Sequence, residues 1–189
     1  MPNNSIILTG FQKYGKFSLN LSGEIVRSFD EKFQKYHIEK TILPVSWNRS
    51  VKSYSEFVNT SEFNPSLVIL MGIHSENKFS LENNSYNCAF GKDMDGFYKF
   101  GFINIKGPLR LKTTLNIKEI YKSLRLSLKL SISYFPGFYL CNFIYYWALD
   151  ISKNKYPVIF IHVPSKGDLE ESMSIIKKIL KHILNYTLK

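Results

Sequence analysis

Short apolar runs alternate with amphipathic stretches along most of this chain, and that alternation is what most restricts its fold. Ser5 to Thr9, His37 to Val45, Leu67 to Met71, Leu128 to Ser133 and Pro157 to Val163 read as strands. Leu19 to Tyr36 has helical spacing (Leu21, Ile25, Val26, Phe29, Phe33), as do Asn48 to Asn59 and Asn116 to Leu126. A buried helix opens at Cys141. Asp168 to Leu184 closes the pattern as an amphipathic helix, with Asp168 and Glu171 as its capping pair. Strand–helix alternation of this kind predicts an α/β class: residues 1–189 as one domain, in three layers, with a largely parallel central sheet. Ligands of such sheets bind beyond the carboxyl ends of the strands. Thr9-Gly10-Phe11, Met71-Gly72, Cys141 and His162 all fall on that edge.

Lys78 to Pro108 interrupts the alternation. Glycines punctuate it, and Tyr98, Phe100 and Phe102 recur at the period of a strand, so it reads as a hairpin or a long functional loop.

Composition narrows the function classes. With 44% hydrophobic residues in a chain of 189, disorder is excluded and a sizeable core is affordable in one domain. The formal net charge of +10 raises nucleic acid as a partner, but the lysines are scattered and no zinc-ligand spacing or RNA-binding signature accompanies them. The charge is read as a solvated surface. No run reaches transmembrane length and no secretory leader pattern is present. Two cysteines, Cys88 and Cys141, make no disulfide framework. The expected setting is reducing and cytoplasmic, without membrane or nucleic-acid partners, and with Cys141 free.

Cys141 follows the Leu128 to Ser133 strand and a Pro136-Gly137 turn, so its thiol stands at a helix N-terminus. Backbone N–H groups and the helix dipole favour thiolate there. About twenty residues on, His162 lies near the carboxyl end of the next strand. A strand–helix–strand unit of this length predicts a right-handed crossover between parallel strands, which places both residues on one sheet edge. Thiol and imidazole are the minimum parts of a cysteine nucleophile and its base. An acid is needed to orient the ring. Glu82, in Phe-Ser-Leu-Glu, could reach the same edge, although spacing alone does not choose it over other acids. Each residue also has a plainer reading: Cys141 and His162 as core, Glu82 as surface, His74 as a solvated loop histidine.

Several segments together resemble the pyroglutamyl peptidase I family, the pyrrolidone-carboxylate cysteine peptidases. They are LTGF with a following aromatic and NLS, then ILPVSW, PSLVILMG, SLEN, GPL, YLCNF followed by IYY, and FIHVP. The resemblance runs nearly end to end. It implies a phosphorylase/hydrolase-like α/β/α sandwich, a Glu82–Cys141–His162 triad, no metal or other cofactor, N-terminally pyroglutamylated peptides as substrates, and a homo-oligomer, commonly a tetramer. Its gapless match over Thr9 to Asn20 implies that Phe11, Tyr14 and Phe17 line a pocket for the lactam, with Asn20 as a polar contact and Tyr139 and Leu140 completing the wall. The backbone N–H of Cys141 is the natural oxyanion donor.

Departures from the bacterial pattern fall in the substrate-binding shell. Ile73 stands in the pocket where bacterial members carry a glutamine. The bacterial arginine that follows the catalytic Glu has no counterpart, since the first arginine after Glu82 is Arg110; Lys92 is the candidate to replace it. The reading is a cysteine exopeptidase acting through a thioester. Its alternative is a weak or inactive relative serving as a binding or assembly module.

Overall fold

The computed structural model of the chain describes residues 5–15, 19–60 and 65–186. The elements are, in order, β1 (Ser5–Phe11), α1 (Leu21–Ser28), β2 (Lys32–Phe33), β3 (Tyr36–Leu43), α2 (Trp47–Thr60), β4 (Leu67–His74), β5 (Phe79–Glu82), β6 (Asn84–Tyr86), β7 (Ala89–Lys92), β8 (Tyr98–Gly101), β9 (Arg110–Lys112), α3 (Ile117–Leu124), β10 (Leu130–Ser133), α4 (Leu140–Ser152), β11 (Val158–Pro164) and α5 (Leu169–Tyr186). Among the described residues one seven-stranded sheet forms, ordered β10-β5-β11-β4-β1-β3-β2. Strands β11, β4, β1 and β3 are mutually parallel.

Successive residues of these strands enter two separate cores, which is why the strands read as continuous apolar runs. Ile6, Leu8, Ile69, Met71, Ile159 and Ile161 pack under α1, α3 and α5. Ile7, Val68, Leu70, Val158 and Phe160 pack under α2 and α4. The three layers follow from this two-sided burial. The helix ends are closed locally. Asn20 and Asn116 cap α1 and α3, and Asp168 Oδ1 accepts the Glu171 N–H at 2.9 Å, as the capping pair predicts.

Three expectations need correction. The helix expected over Leu19 to Tyr36 stops at Ser28, where Phe29 turns extended. Gln34 adopts a positive φ of 54°, and Lys32–Phe33 folds back antiparallel on Tyr36 and His37. Phe29 and Phe33 still meet, at 6.1 Å between ring centroids, so their spacing served a hairpin as well as it would a helix. Second, Lys78 to Pro108 is more than a hairpin or loop. Its Phe79–Glu82 segment enters the main sheet as β5, and only the β7–β8 pair is a separate hairpin. Third, β10 and β11 do not form a parallel crossover pair. Strand β5 lies between them, parallel to β10 and antiparallel to β11. Both β5 and β10 therefore run against the four parallel strands.

Candidate active site

Cys141 is the second residue of α4, whose N-cap is Tyr139. First-turn N–H groups have no carbonyl partner inside the helix, so they are available to an oxygen anion. The helix start is tied down by Asn142, fully buried, which the sequence reading overlooked. Its Oδ1 accepts the Tyr86 N–H (2.8 Å) and the Ser85 hydroxyl (2.9 Å), and its Nδ2 donates to the carbonyls of Tyr86 and Cys88, both at 2.8 Å. Under the thiol lies Gly72 of β4. A Cβ there would stand 2.8 Å from the Cys141 sulfur and 2.8 Å from Cζ of Phe160. The absent side chain is the seat of the sulfur.

Register brings the other two groups to the same face. His162 on β11 is paired with Gly72 on one side and Ser80 on the other, while Glu82 is paired with Phe160. Alternation then puts Glu82 and His162 diagonally across neighbouring strands on one face, within reach of long side chains. His162 Nδ1 donates to Glu82 Oε1 at 2.7 Å, with both residues buried. The other carboxylate oxygen, Oε2, is buried without a hydrogen-bond partner among the described residues. Burial opposes a charge on His162. Negative charge at the Cys141 sulfur and hydrogen bonds to Cys141 and Glu82 outweigh it, and the imidazole pKa is pushed from the usual 6.5 up to about 10. The ring is further held by neighbours. Phe160 lies 4.8 Å away, centroid to centroid, and His74 stacks on it at 5.3 Å and 28°. His74 is thus no solvated loop residue. Its Nε2–H donates to the Lys78 carbonyl at 2.6 Å, and burial lowers its pKa.

Next to the sulfur is an apolar pocket of about 280 Å³, partly open to solvent and lined by Phe11, Tyr14, Asn20, Val45, Ile73, Tyr139, Leu140 and Cys141. None of these residues is cationic. Every expected pocket residue among the described ones is there; Phe17 lies outside the described residues. Val45 is an addition, and its only sequence signal was its place in the ILPVSW segment after β3. Burial, then the charge at the Cys141 sulfur, raises the Tyr14 pKa and keeps its phenol neutral. Asn20 lines the cavity with its polar atoms already engaged, Oδ1 by the Ser22 N–H and hydroxyl and Nδ2 by the Gln12 carbonyl at 3.1 Å. Its first task is to cap α1.

Lys92 does not take the oxyanion position expected of it. It ends β7, and its ammonium sits 5.4 Å above the Tyr98 ring across the hairpin. Only its carbonyl reaches the cavity wall, accepting the Tyr139 hydroxyl at 2.9 Å. The hairpin itself is pinned by buried Asp93. The Asp93 carboxylate accepts the N–H groups of Trp47, Asp95 and Phe97. Trp47 in turn packs edge-on against Tyr139, at 5.2 Å.

The family model described as pyroglutamyl peptidase matches residues 4–178. The pyrrolidone-carboxylate peptidase of Thermococcus litoralis is 31% identical over 172 residues, covering 86% of this chain and 77% of that protein. That of Oceanobacillus iheyensis is 30% identical, covering 87% and 85%. The solved pyrrolidone carboxyl peptidase structure from T. litoralis superposes with a TM-score of 0.89 at 27% identity, over 97% of this chain and 94% of that one.

Proposed function

Since the chain belongs to the pyroglutamyl peptidase family of cysteine peptidases, we propose that Cys141, His162 and Glu82 are the triad with which it removes N-terminal pyroglutamate from peptides. The observation that carries the assignment is the chain of contacts itself: Glu82 on Nδ1 of a buried His162, beside a thiol seated over Gly72. His162 takes the thiol proton, and the Cys141 sulfur attacks the pyroglutamyl carbonyl. The oxyanion that forms is met by the Cys141 N–H at the start of α4. His162, charged, gives its proton to the departing amine, which leaves a thioester. Neutral His162 then draws a proton from water, and hydroxide releases pyroglutamate. Glu82 fixes the ring and offsets its charge throughout.

Phe11, Tyr14, Ile73, Tyr139 and Leu140 form the binding surface for the lactam. Aromatic and aliphatic walls bury a small neutral ring, whereas an uncyclised glutamate would place a carboxylate against a lining that holds no cation among the described residues. Ile73 cannot hydrogen-bond the ring, so discrimination rests on shape and desolvation. The intact triad leaves the binding-module alternative with no observation in its favour.

Among the described residues no helix is long and apolar enough to cross a membrane. A free, working thiol needs reducing surroundings, which supports a cytoplasmic setting. Exposed Phe90, Tyr98, Phe100 and Phe102 on and beside the β7–β8 hairpin support association into a homo-oligomer, a tetramer by family resemblance.

Turnover of pyroglutamyl-aminomethylcoumarin tests the reading. Wild type is expected to release the fluorophore, Cys141→Ser to release none, and His162→Ala to fall by about two to four decades. Iodoacetamide should inactivate with a single modification at Cys141. Full activity in Cys141→Ser would overturn the assignment.

A further inference from the structure

Strand order gives the bound substrate a direction. The lactam cavity is built on the ends of β1, β3 and β4, the sulfur lies over β4, and the proton donor stands on β11. A leaving amine must sit within hydrogen-bond reach of His162, so the peptide continues from β4 towards β11 and onward over β5 and β10. There a second, open groove of about 880 Å³ begins at His162. The two cavities meet at the reacting pair: Cys141 lines the first and His162 the second.

The groove's chemistry suits a peptide. Along its floor stand Ser80 and Ser131, whose hydroxyls share a hydrogen bond of 2.8 Å, and Ser133, whose Oγ accepts the Phe135 N–H at 3.2 Å. Hydroxyls donate and accept, as main-chain amides require. One wall is His74, stacked on His162; the other is Tyr134 and Phe135, both about half exposed. Glu76 and Lys78 at the mouth neutralise each other across 2.8 Å, and Glu82 is committed to His162. Among the described lining residues each charge faces an opposite one, so none is left over to select a charged side chain. From β11 to β10 is two strand spacings, about 10 Å, the span of about three extended residues.

We propose that this groove binds the residues that follow pyroglutamate, and that Tyr134 and Phe135 make it favour an aromatic or long apolar side chain at the first or second of them. The inference rests on the peptidase reading and adds the leaving-group side to it. Phe135 is backed by the Tyr86 and Phe138 rings, at 5.8 and 4.8 Å between centroids, and still leaves about half its surface free in the groove that His162 lines. Against a bound aromatic it supplies a large contact at low cost in side-chain freedom.

The test compares kcat/KM for pyroglutamyl amide, whose leaving group is ammonia and cannot enter the groove, with pyroglutamyl-Phe-Ala and pyroglutamyl-Asp-Ala. The Phe peptide is expected to exceed the Asp peptide by about tenfold or more. In Phe135→Ala the ratio of Phe-peptide to amide turnover should fall by about tenfold. Ser131→Arg, which fills the floor, should lower that ratio further, and the amide rate in each variant reports whether the site is intact. Turnover of the amide with no preference between the two peptides overturns the groove alone, as does a Phe135→Ala ratio equal to wild type. Failure of wild type to turn over the amide and both peptides overturns the peptidase reading, and the groove with it.

Discussion

The sheet has two unlike halves, and the proposed site is divided between them. Strands β3, β1, β4 and β11 are parallel and regular, and β1, β4 and β11 are buried on both faces. They furnish the apolar pocket, the glycine seat of the sulfur and the imidazole. Strands β5 and β10 run the other way, are four residues each, and carry Glu82 and the serine-lined groove. The regular half recognises and the reversed half supplies charge and polarity. A residue that must be placed to a fraction of an ångström benefits from a close-packed neighbourhood. An acid that acts through another ring tolerates more freedom.

The sharpest way to break that contrast is Gly72→Ala, one methyl in the regular half. The added carbon would stand 2.8 Å from both the sulfur and the Phe160 ring, so one of them must move. Displacing the thiol by about 1 Å is expected to cost about 10²-fold in kcat. Overpacking should cost about 1–3 kcal/mol in stability, read by urea unfolding. Unchanged kcat would show that the sulfur is not seated where the structure puts it.

Glu82→Gln in the reversed half should act more mildly and in a different currency. His162 must be charged to protonate the amine, so acylation is complete below its pKa and is lost as pH rises through about 10. Removing the carboxylate takes away one of the groups that raise that pKa. The alkaline limb of kcat/KM is therefore expected to move down by about one unit or more, with turnover still measurable at neutral pH. An unmoved limb would mean that Glu82 is not what holds the proton. The smallest effect should come from Lys92→Ala, because the ammonium rests on Tyr98 and only the backbone carbonyl meets Tyr139. A change in kcat beyond about twofold would place that side chain at the oxyanion after all, since a lost donor there costs about 10²–10³.

The same two halves differ in how far sequence discloses them. β1, β4 and β11 were legible because each buries both faces and is a plain apolar run, and Asp168 with Glu171 marks its helix start through a contact three residues long. β5 was hidden. Phe79–Glu82 is short, follows β4 without a helix, and owes its place to pairing with residues eighty positions away. No local periodicity carries that pairing or its direction, and so the β10–β11 relation was misread as parallel. The helix start at Cys141 and the strand end at His162 were legible locally, but the parallel crossover expected to join them is absent, and Glu82 needed the resemblance. His74 was placed on the right edge but read as a solvated loop residue: its stacking on His162 follows from β4 running three residues past Met71, in register with Pro164. Lys92 was misjudged because a hairpin folds its side chain onto a residue six positions on.

The raised pKa of His162 has a consequence for timing. Two anions sustain it against burial, and in the proposed mechanism attack on the substrate consumes one of them. Once the sulfur is bonded to the acyl carbon it carries no charge, and Glu82 alone is left to hold a proton in a site that resists it. The ring's affinity for a proton falls at the moment when an acid has finished and a base is wanted. When water frees the acyl group the sulfur regains its charge and the ring is ready to be recharged. A single histidine thus alternates between opposite duties without any moving part, because bond order at sulfur sets the clock.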